Sequence, residues 1–229
     1  MRIGITLALF SSLFLASAAA DTLDGALNRL DRAGSQFKGM AANFVNVKHT
    51  AIVNEDSKSS GTIKIKKIKR TPPPDDILGL LDFTAPDKRV VALTGKTVQI
   101  YLPNLKTVQE VDLGKHKVWV EQFFLFGFGT SRSDLEAAYN VTLGGPETIG
   151  SEATTRLVMT SKNPEVSRQL SKFELWVSDK TGMPVQQKFY EPSGDSNVFT
   201  YSDMKTPNFK DSDLQLKLPS NTKRETLNK

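Results

Sequence analysis

Cysteine is absent from the 229 residues of the sequence. Its absence excludes disulfide bonds, thiol nucleophiles and cysteine-ligated metal sites. It also argues against a bacterial lipid anchor, which would require a cysteine at the start of the mature chain. A chain without disulfides must be stabilised by its core, and residues 21–229 are enough to form a sizeable one.

Histidine is scarce, because only His49 and His116 occur. Their separation does not match a metal-ligand spacing such as H-x-x-x-H, and the chain lacks a G-x-S-x-G elbow and a P-loop. The carboxylates are scattered over segments with turn-like composition. We therefore predict a protein that is not an enzyme and holds no cofactor or metal ion. An enzyme acting on envelope lipids or glycans is the alternative, which loss of turnover on replacing either histidine would support.

Long apolar runs are also missing, and the one at the amino terminus is too short to cross a bilayer comfortably. It extends from Ile3 to Leu15 behind the positively charged Met1-Arg2. Ala18-Ala19-Ala20 then offers the small residues that signal peptidase reads. We interpret residues 1–20 as a signal peptide. Residues 21–229 are expected to form a single soluble domain in the periplasm, because no linker or internal repeat divides them.

Neither sign of charge dominates, with 30 Lys and Arg residues against 25 Asp and Glu residues. The densest basic stretch is I-K-I-K-K-I-K-R, which ends at Arg70. Lysines that alternate with isoleucines predict an amphipathic strand with a solvated face. A patch for anionic lipid head groups or an acidic partner is the alternative. Nucleic acid is not expected as a partner, because the chain has an export signal and lacks interleaved aromatic residues.

Three short strands in succession are predicted between Phe83 and Val111. The first is apolar, and Thr94-Gly95-Lys96 then forms a tight turn, because glycine accepts the positive φ that such turns require. The second strand alternates, and its apolar residues on one face are Val98, Ile100 and Leu102. A meander of this kind can curl into half a barrel whose apolar face is turned inward.

The flanking segments extend or cover this sheet. Residues 21–37 show the apolar spacing of an amphipathic helix, and Ser133 with Glu136 predicts a capping box that starts a short second helix. Residues 71–76 contain three prolines and are predicted to be a loop. Strands with regularly spaced turns fill the carboxyl-terminal half, and the tail closes on alternating Leu214, Leu216 and Leu218. The predicted fold class is α+β.

The segment from Trp119 to Gly129 is rich in phenylalanine and ends in two glycines. One interpretation is ordinary core. The other is a helical lid whose aromatic side chains face a cavity for an acyl chain, with Gly127 and Gly129 as hinges. Both interpretations remain open from the residues alone.

The ordered features resemble the LolA-like periplasmic carriers of outer-membrane lipoproteins over nearly all of residues 21–229. The resemblance lies in the amino-terminal helix and in a series of sequence stretches. These are G-T-I-K-I-K-K, A-P-D-K-R-V-V-A-L-T-G-K-T-V-Q-I-Y-L-P, L-F-G-F-G before D-L-E-A-A-Y-N-V, F-E-L-W-V-S-D-K-T-G-M-P-V-Q-Q and D-L-Q-L-K-L-P. It implies an incomplete, strongly curved antiparallel β-barrel covered by helices.

The resemblance also implies a function without covalent chemistry. Such carriers take lipoprotein acyl chains into a hydrophobic cavity and shuttle lipoproteins between an inner-membrane release complex and an outer-membrane acceptor. We expect the protein to be a monomer. The alternative ligand is another amphiphile, such as a glycolipid or hopanoid-like molecule. In the best-known carriers of the family, an arginine on an early strand helps to hold the empty cavity closed. The corresponding region here contains Lys66, Lys67, Lys69 and Arg70, and the sequence does not assign the equivalent residue. The expected lipid-binding residues are Leu81, Phe83, Val91, Leu93, Val98, Ile100, Leu102, Trp119, Phe123, Phe126 and Trp176.

Overall fold

The computed structural model describes residues 22–68, 76–94, 97–114 and 127–227. These residues form one twelve-stranded sheet with a few helices. The helices are α1 (Leu23–Gln36), α2 (Arg132–Ala138) and α3 (Pro164–Ser167), with 3-10 turns at Pro103–Leu105 and Asp211–Leu214. The strands are β1 (Gly39–Thr50), β2 (Glu55–Ile68), β3 (Asp76–Ala85), β4 (Arg89–Thr94), β5 (Thr97–Leu102), β6 (Thr107–Asp112), β7 (Tyr139–Ile149), β8 (Glu152–Ser161), β9 (Lys172–Ser178), β10 (Pro184–Tyr190), β11 (Ser196–Lys205) and β12 (Lys223–Thr226).

The strand order across the sheet is β12-β6-β5-β4-β3-β2-β1-β11-β10-β9-β8-β7. Neighbours are antiparallel except for β12, which runs parallel to β6. The sheet therefore consists of two meanders, β1 to β6 and β7 to β11, that are joined where β1 pairs with β11. It is curved and not closed, which confirms the predicted α+β fold with an incomplete antiparallel barrel.

Apolar side chains converge on one face of the sheet, which we call the inner face. The register shows this alternation across strands, because Met40 lies opposite Ile65 and Leu157 lies opposite Leu175. The buried inner-face residues are Met40, Ala42, Phe44, Ile63, Ile65, Ile77, Leu81, Phe83, Leu157, Met159, Phe173, Leu175, Val177, Phe189, Phe199 and Tyr201. They form one continuous core, as expected for a chain without disulfides.

Helix α1 packs its apolar stripe into this core. The Thr22 hydroxyl caps the helix by accepting a hydrogen bond from the Gly25 amide at 3.0 Å. Leu27 and Leu30 are almost fully buried in the same cluster as the inner-face residues. The Arg29 guanidinium donates to the Asp179 carboxylate at 2.9 Å and thereby fixes the helix at the end of β9. This confirms the amphipathic helix expected over residues 21–37.

Helix α2 begins two residues earlier than the capping box predicted. The Ser131 hydroxyl, and not that of Ser133, accepts a hydrogen bond from the Asp134 amide at 3.1 Å. The amide of Arg132 donates to the Asp31 carboxylate at 2.7 Å. The earlier start is favoured because α1 supplies this acceptor, which satisfies one of the orphan amides of the first turn.

Residues 206–222, here called the carboxyl-terminal strap, cross the outer face of the sheet. The predicted alternating strand at Leu214, Leu216 and Leu218 is wrong, because this part contains a 3-10 turn and irregular backbone. The turn contacts β2 and β3, and Leu214 is fully buried. The strap then leads to β12, which the sequence did not predict because its four residues carry no apolar alternation.

The strap also partners the lysines of β2 that point outward. The Lys66 ammonium pairs with the Asp211 carboxylate at 2.5 Å, and the Lys64 ammonium lies 6.0 Å from the centre of the Phe209 ring. These two lysines are therefore neither a simple solvated face nor an open basic patch. Lys69, Arg70 and the three-proline loop lie outside the described residues. No described helix is long and apolar enough to cross a membrane.

Candidate functional site

The strands β3, β4 and β5 bring the predicted apolar residues together on the inner face. In the sheet register Val91 lies between Leu81 and Ile100, and Leu93 lies opposite Val98. The predicted lipid-binding residues that share this surface are Leu81, Phe83, Val91, Leu93, Val98, Ile100 and Leu102. We call these seven residues the apolar patch.

The apolar patch differs from the rest of the inner face in its accessibility. Leu81, Phe83 and Leu93 are buried, whereas the other members are only half-buried. Every residue of β5 is in this half-buried state. Helix α1, by contrast, lies near β8 and α2, where the inner-face residues are buried. Partly accessible apolar surface therefore lies on the β4 and β5 side of the sheet.

Trp176 does not share this surface, contrary to our prediction. It lies between Leu175 and Val177 of β9, whose side chains point inward, and so it must point to the outer face. Its indole N–H donates to the Glu147 carboxylate at 2.9 Å, and the Arg156 guanidinium lies 5.9 Å from its ring centre. Trp176 is thus buried by outer-face side chains and not by the core.

The remaining predicted residues, Trp119, Phe123 and Phe126, lie outside the described residues. The described end of the same segment belongs to the core, because Phe128 is fully buried. Its ring lies 6.1 Å from that of Phe37 and 5.4 Å from that of Tyr201. Phe128 was part of the phenylalanine-rich pattern, but the pattern alone did not separate it from candidate ligand contacts.

Close packing accounts for the two glycines that flank Phe128. Gly127 and Gly129 have φ values of +81° and +71°, which side chains rarely adopt. A Cβ at Gly127 would lie 2.7 Å from a Leu175 methyl carbon, and one at Gly129 would lie 2.8 Å from the Phe37 ring. Alanine at either position would strain the folded structure. A change in ligand binding in such a variant would therefore not identify the glycine as a hinge.

Lys67 reaches from the sheet to this same turn. It follows Ile63 and Ile65 in the inward-facing alternation of β2, although it is charged. Its ammonium donates a hydrogen bond to the Gly129 carbonyl oxygen at 3.0 Å. The alternation of β2 was the signal that could have singled out Lys67 from the neighbouring lysines, because Lys64 and Lys66 have the opposite parity.

A polar pair interrupts the apolar inner face on β10 and β11. The Tyr201 hydroxyl donates to the Gln187 side-chain oxygen at 2.7 Å, and both side chains are buried. Burial raises the pKa of Tyr201, so the hydroxyl stays protonated and the hydrogen bond is retained. No pattern in the sequence singled out either residue.

His49 does not contribute to this surface. His49 lies on the outer face of β1, where its ring Nδ1 is 2.8 Å from a carboxylate oxygen of Asp56. His116 lies outside the described residues. Within the described ranges, no group of three or more histidines, aspartates and glutamates could hold a metal ion.

Comparison with known proteins agrees with this geometry. Residues 35–217 match the family described as outer membrane lipoprotein carrier protein LolA. The chain belongs to the LolA family. This confirms the resemblance drawn from the sequence. No curated protein matches the chain in sequence.

Solved structures of LolA-like shape are similar to the chain at low sequence identity. An uncharacterised conserved protein from Thermus thermophilus has 12% identity and a TM-score of 0.54, with 89% of this chain and 98% of that chain covered. A LolA superfamily protein from Nitrosomonas europaea has 15% identity, a TM-score of 0.41 and coverage of 86% and 99%. The lipoprotein LppX from Mycobacterium tuberculosis has 11% identity, a TM-score of 0.48 and coverage of 82% and 99%.

Membership of the LolA family indicates which kind of ligand the apolar patch suits. The family is one of carriers that bind lipids or lipoproteins and not one of enzymes. An apolar concave surface with few polar groups suits that role, because acyl chains are held by burial and not by directed bonds.

Proposed function

We propose that this LolA-family protein is a periplasmic carrier that binds lipoprotein acyl chains and moves lipoproteins from the inner to the outer membrane. The observation that carries the proposal is the half-buried part of the apolar patch, where Val98 and Ile100 stand in register with the residues of β4. Each acyl CH₂ removed from water there contributes about 0.8 kcal/mol. Binding of this kind requires no covalent step.

Transfer also requires release, and the Lys67 contact supports a movable cover. A charged hydrogen bond joins Lys67 of β2 to Gly129, at the end of the phenylalanine-rich segment. A ligand or partner that favours the state without this bond would shift the protein towards an open form. We propose that an inner-membrane release complex loads the open form, that an outer-membrane acceptor empties it, and that the carrier is a monomer exported by residues 1–20.

A lysine in the apolar patch should weaken binding of an acyl ligand. In the Ile100→Lys variant, binding of the acyl chain would remove the lysine ammonium from water, which is unfavourable. We expect affinity for a fluorescent fatty acyl probe to fall by at least about tenfold, which corresponds to about 1.4 kcal/mol. The measurement is a fluorescence titration of the purified mature protein.

The neighbouring residue provides a matched control for this test. Gln99 lies on the opposite face, where its side-chain amide donates to the Glu110 carboxylate at 2.8 Å. Gln99→Lys places the same charge beside that carboxylate, on the face away from the patch, and should leave probe affinity within about twofold, since the charge does not face the ligand. Equal losses in the two variants would remove the patch as the binding site.

The cargo itself is identified by purifying the protein from periplasm and analysing what accompanies it. Lipoproteins in the bound fraction of the unsubstituted protein, and their loss from Ile100→Lys, are the expected result. A different lipid in their place would contradict lipoprotein carriage while leaving the acyl site intact.

A further inference from the structure

Arg89 is a guanidinium placed at one end of the apolar patch. It is the first residue of β4 and lies directly opposite Phe83 of β3 in the sheet register. Its guanidinium carbon is 3.7 Å from the centre of the Phe83 ring, so the planar group rests on the ring. Because Phe83 points inward, Arg89 also belongs to the inner face.

The hydrogen-bond donors of Arg89 meet no acceptor in the part of the chain that the structure describes. Among the residues that the structure describes, no carboxylate or carbonyl oxygen is hydrogen-bonded to or ion-paired with this guanidinium. Other arginines of the chain are bound: Arg29 donates to Asp179, and Arg132 donates to Asp24. Arg89 is half-buried. A half-buried guanidinium whose N–H groups meet no acceptor among the described residues can bind an anionic partner.

The surroundings of Arg89 combine positive charge with apolar surface. Lys88 precedes it in the exposed turn, and Lys106 lies in the turn between β5 and β6 at the same end of the sheet. Asp87 is the acidic residue of the Arg89 turn, and it is exposed. On the other side Leu102 and Val91 continue the apolar patch away from the turn.

We propose that Arg89 binds the carboxylate or phosphate head group of an acidic amphiphile whose acyl chain lies on the apolar patch. The proposal rests on the acyl site of the proposed function and goes beyond it, because a ligand of this class need not be a lipoprotein. Stacking on Phe83 holds the guanidinium flat, so its in-plane N–H groups can meet an anion edge-on with two hydrogen bonds. The chain of the ligand then extends from the turn along β4 and β5.

The test compares palmitate with methyl palmitate, which has the same chain without the charge. Each is titrated against the mature protein by displacement of the fluorescent acyl probe. Palmitate should bind about tenfold more tightly, and Arg89→Gln should remove most of this preference while methyl palmitate binding stays within about twofold. Arg89→Lys keeps the charge but loses the planar donor pair, and should retain only part of the preference.

Arg168→Gln is the matched control, because Arg168 is 70% exposed and lies far from the patch, just after α3. It should leave both affinities unchanged. Retained methyl palmitate binding also shows that Arg89→Gln is folded. Equal affinity of the unsubstituted protein for the two ligands, or equal loss of both in Arg89→Gln, would overturn the proposal.

The source of the anion is distinguished by inorganic phosphate. If phosphate alone at millimolar concentration displaces palmitate, the site serves a free anion, and the assignment to an amphiphile is overturned. Failure of phosphate to compete supports a ligand whose binding needs both the anionic head group and the acyl chain. Failure of the unsubstituted protein to bind either palmitate or its ester would instead overturn the proposed function, and this inference with it.

Discussion

Among single residues, Lys67 has the clearest mechanical role, because its ammonium ties the inner face of β2 to the Gly129 carbonyl. In Lys67→Met the chain length and apolar stem are kept and the charged hydrogen bond is lost. We expect the closed state to lose about 1 kcal/mol, which is about a fivefold gain in the open population. Stopped-flow association of the acyl probe should be faster by a similar factor.

The adjacent lysine gives the control for this prediction. Lys66→Met removes a charged contact of the same kind, with Asp211, but on the outer face. Its probe association rate should match that of the unsubstituted protein. If the two variants behave alike, Lys67 supports the fold and does not hold a cover in place.

For single residues, alternation along a strand predicted well which face of the sheet a side chain occupies. Val98, Ile100 and Leu102 share the face that their spacing indicated. The prediction for Trp176 was wrong, because the alternation of Leu175 and Val177 places the residue between them on the outer face. The role of Lys67 could not be found from composition, since its partner Gly129 is 62 positions away in the chain.

Among the elements, the carboxyl-terminal strap covers part of the outer face and buries Leu214 completely. Truncating this side chain in Leu214→Ala leaves a cavity between the strap and the sheet. We expect a loss of about 2–5 kcal/mol in the free energy of unfolding. Urea unfolding followed by circular dichroism measures it, and affinity for the acyl probe should be unchanged because the strap lies on the outer face.

Leu105→Ala is the comparison for this variant. Leu105 is 68% exposed in the turn between β5 and β6, so its truncation should cost no more than about 0.5 kcal/mol. A Leu214→Ala protein that is as stable as Leu105→Ala would show that the strap is only loosely attached.

The strap also shows which elements the sequence could predict. The strictly alternating strand β5 was predicted close to its observed bounds, and so was α1. The tail had similar alternation at Leu214, Leu216 and Leu218, but its residues pack on a sheet face that other strands had already formed. Tertiary contact thus overrode a local pattern, and the start of α2 was displaced in the same way by Asp31.

For the whole molecule, the resemblance to the LolA-like carriers implied the open curved sheet, but the sequence did not predict the strand order. Alternation tells which face a side chain occupies and not which strand lies beside it. The pairing of β1 with β11 therefore had no local signal. Asn46 of β1 donates to the carbonyl oxygen of Val198 at 3.2 Å, across 152 positions of the chain.

This long-range pairing predicts late formation of the join between the two meanders. Val47 and Val198 are register partners across the join, and Val91 and Ile100 are partners within a hairpin. In double-mutant cycles with alanine, the Val47–Val198 coupling should appear mainly in unfolding rates. The Val91–Ile100 coupling should appear also in folding rates, because a short loop is closed early. Equal partition of both couplings between the two rates would contradict this order.

The same join has a consequence for the nascent chain. Synthesis proceeds from the amino terminus, so β1 and the strands up to β6 exist well before β11 has been made. Until then β1 is an unprotected strand edge with free amide and carbonyl groups, twelve residues long. Such an edge can recruit a second nascent chain, so the yield of folded protein should fall with rising expression rate. It should recover when a holding chaperone occupies that edge.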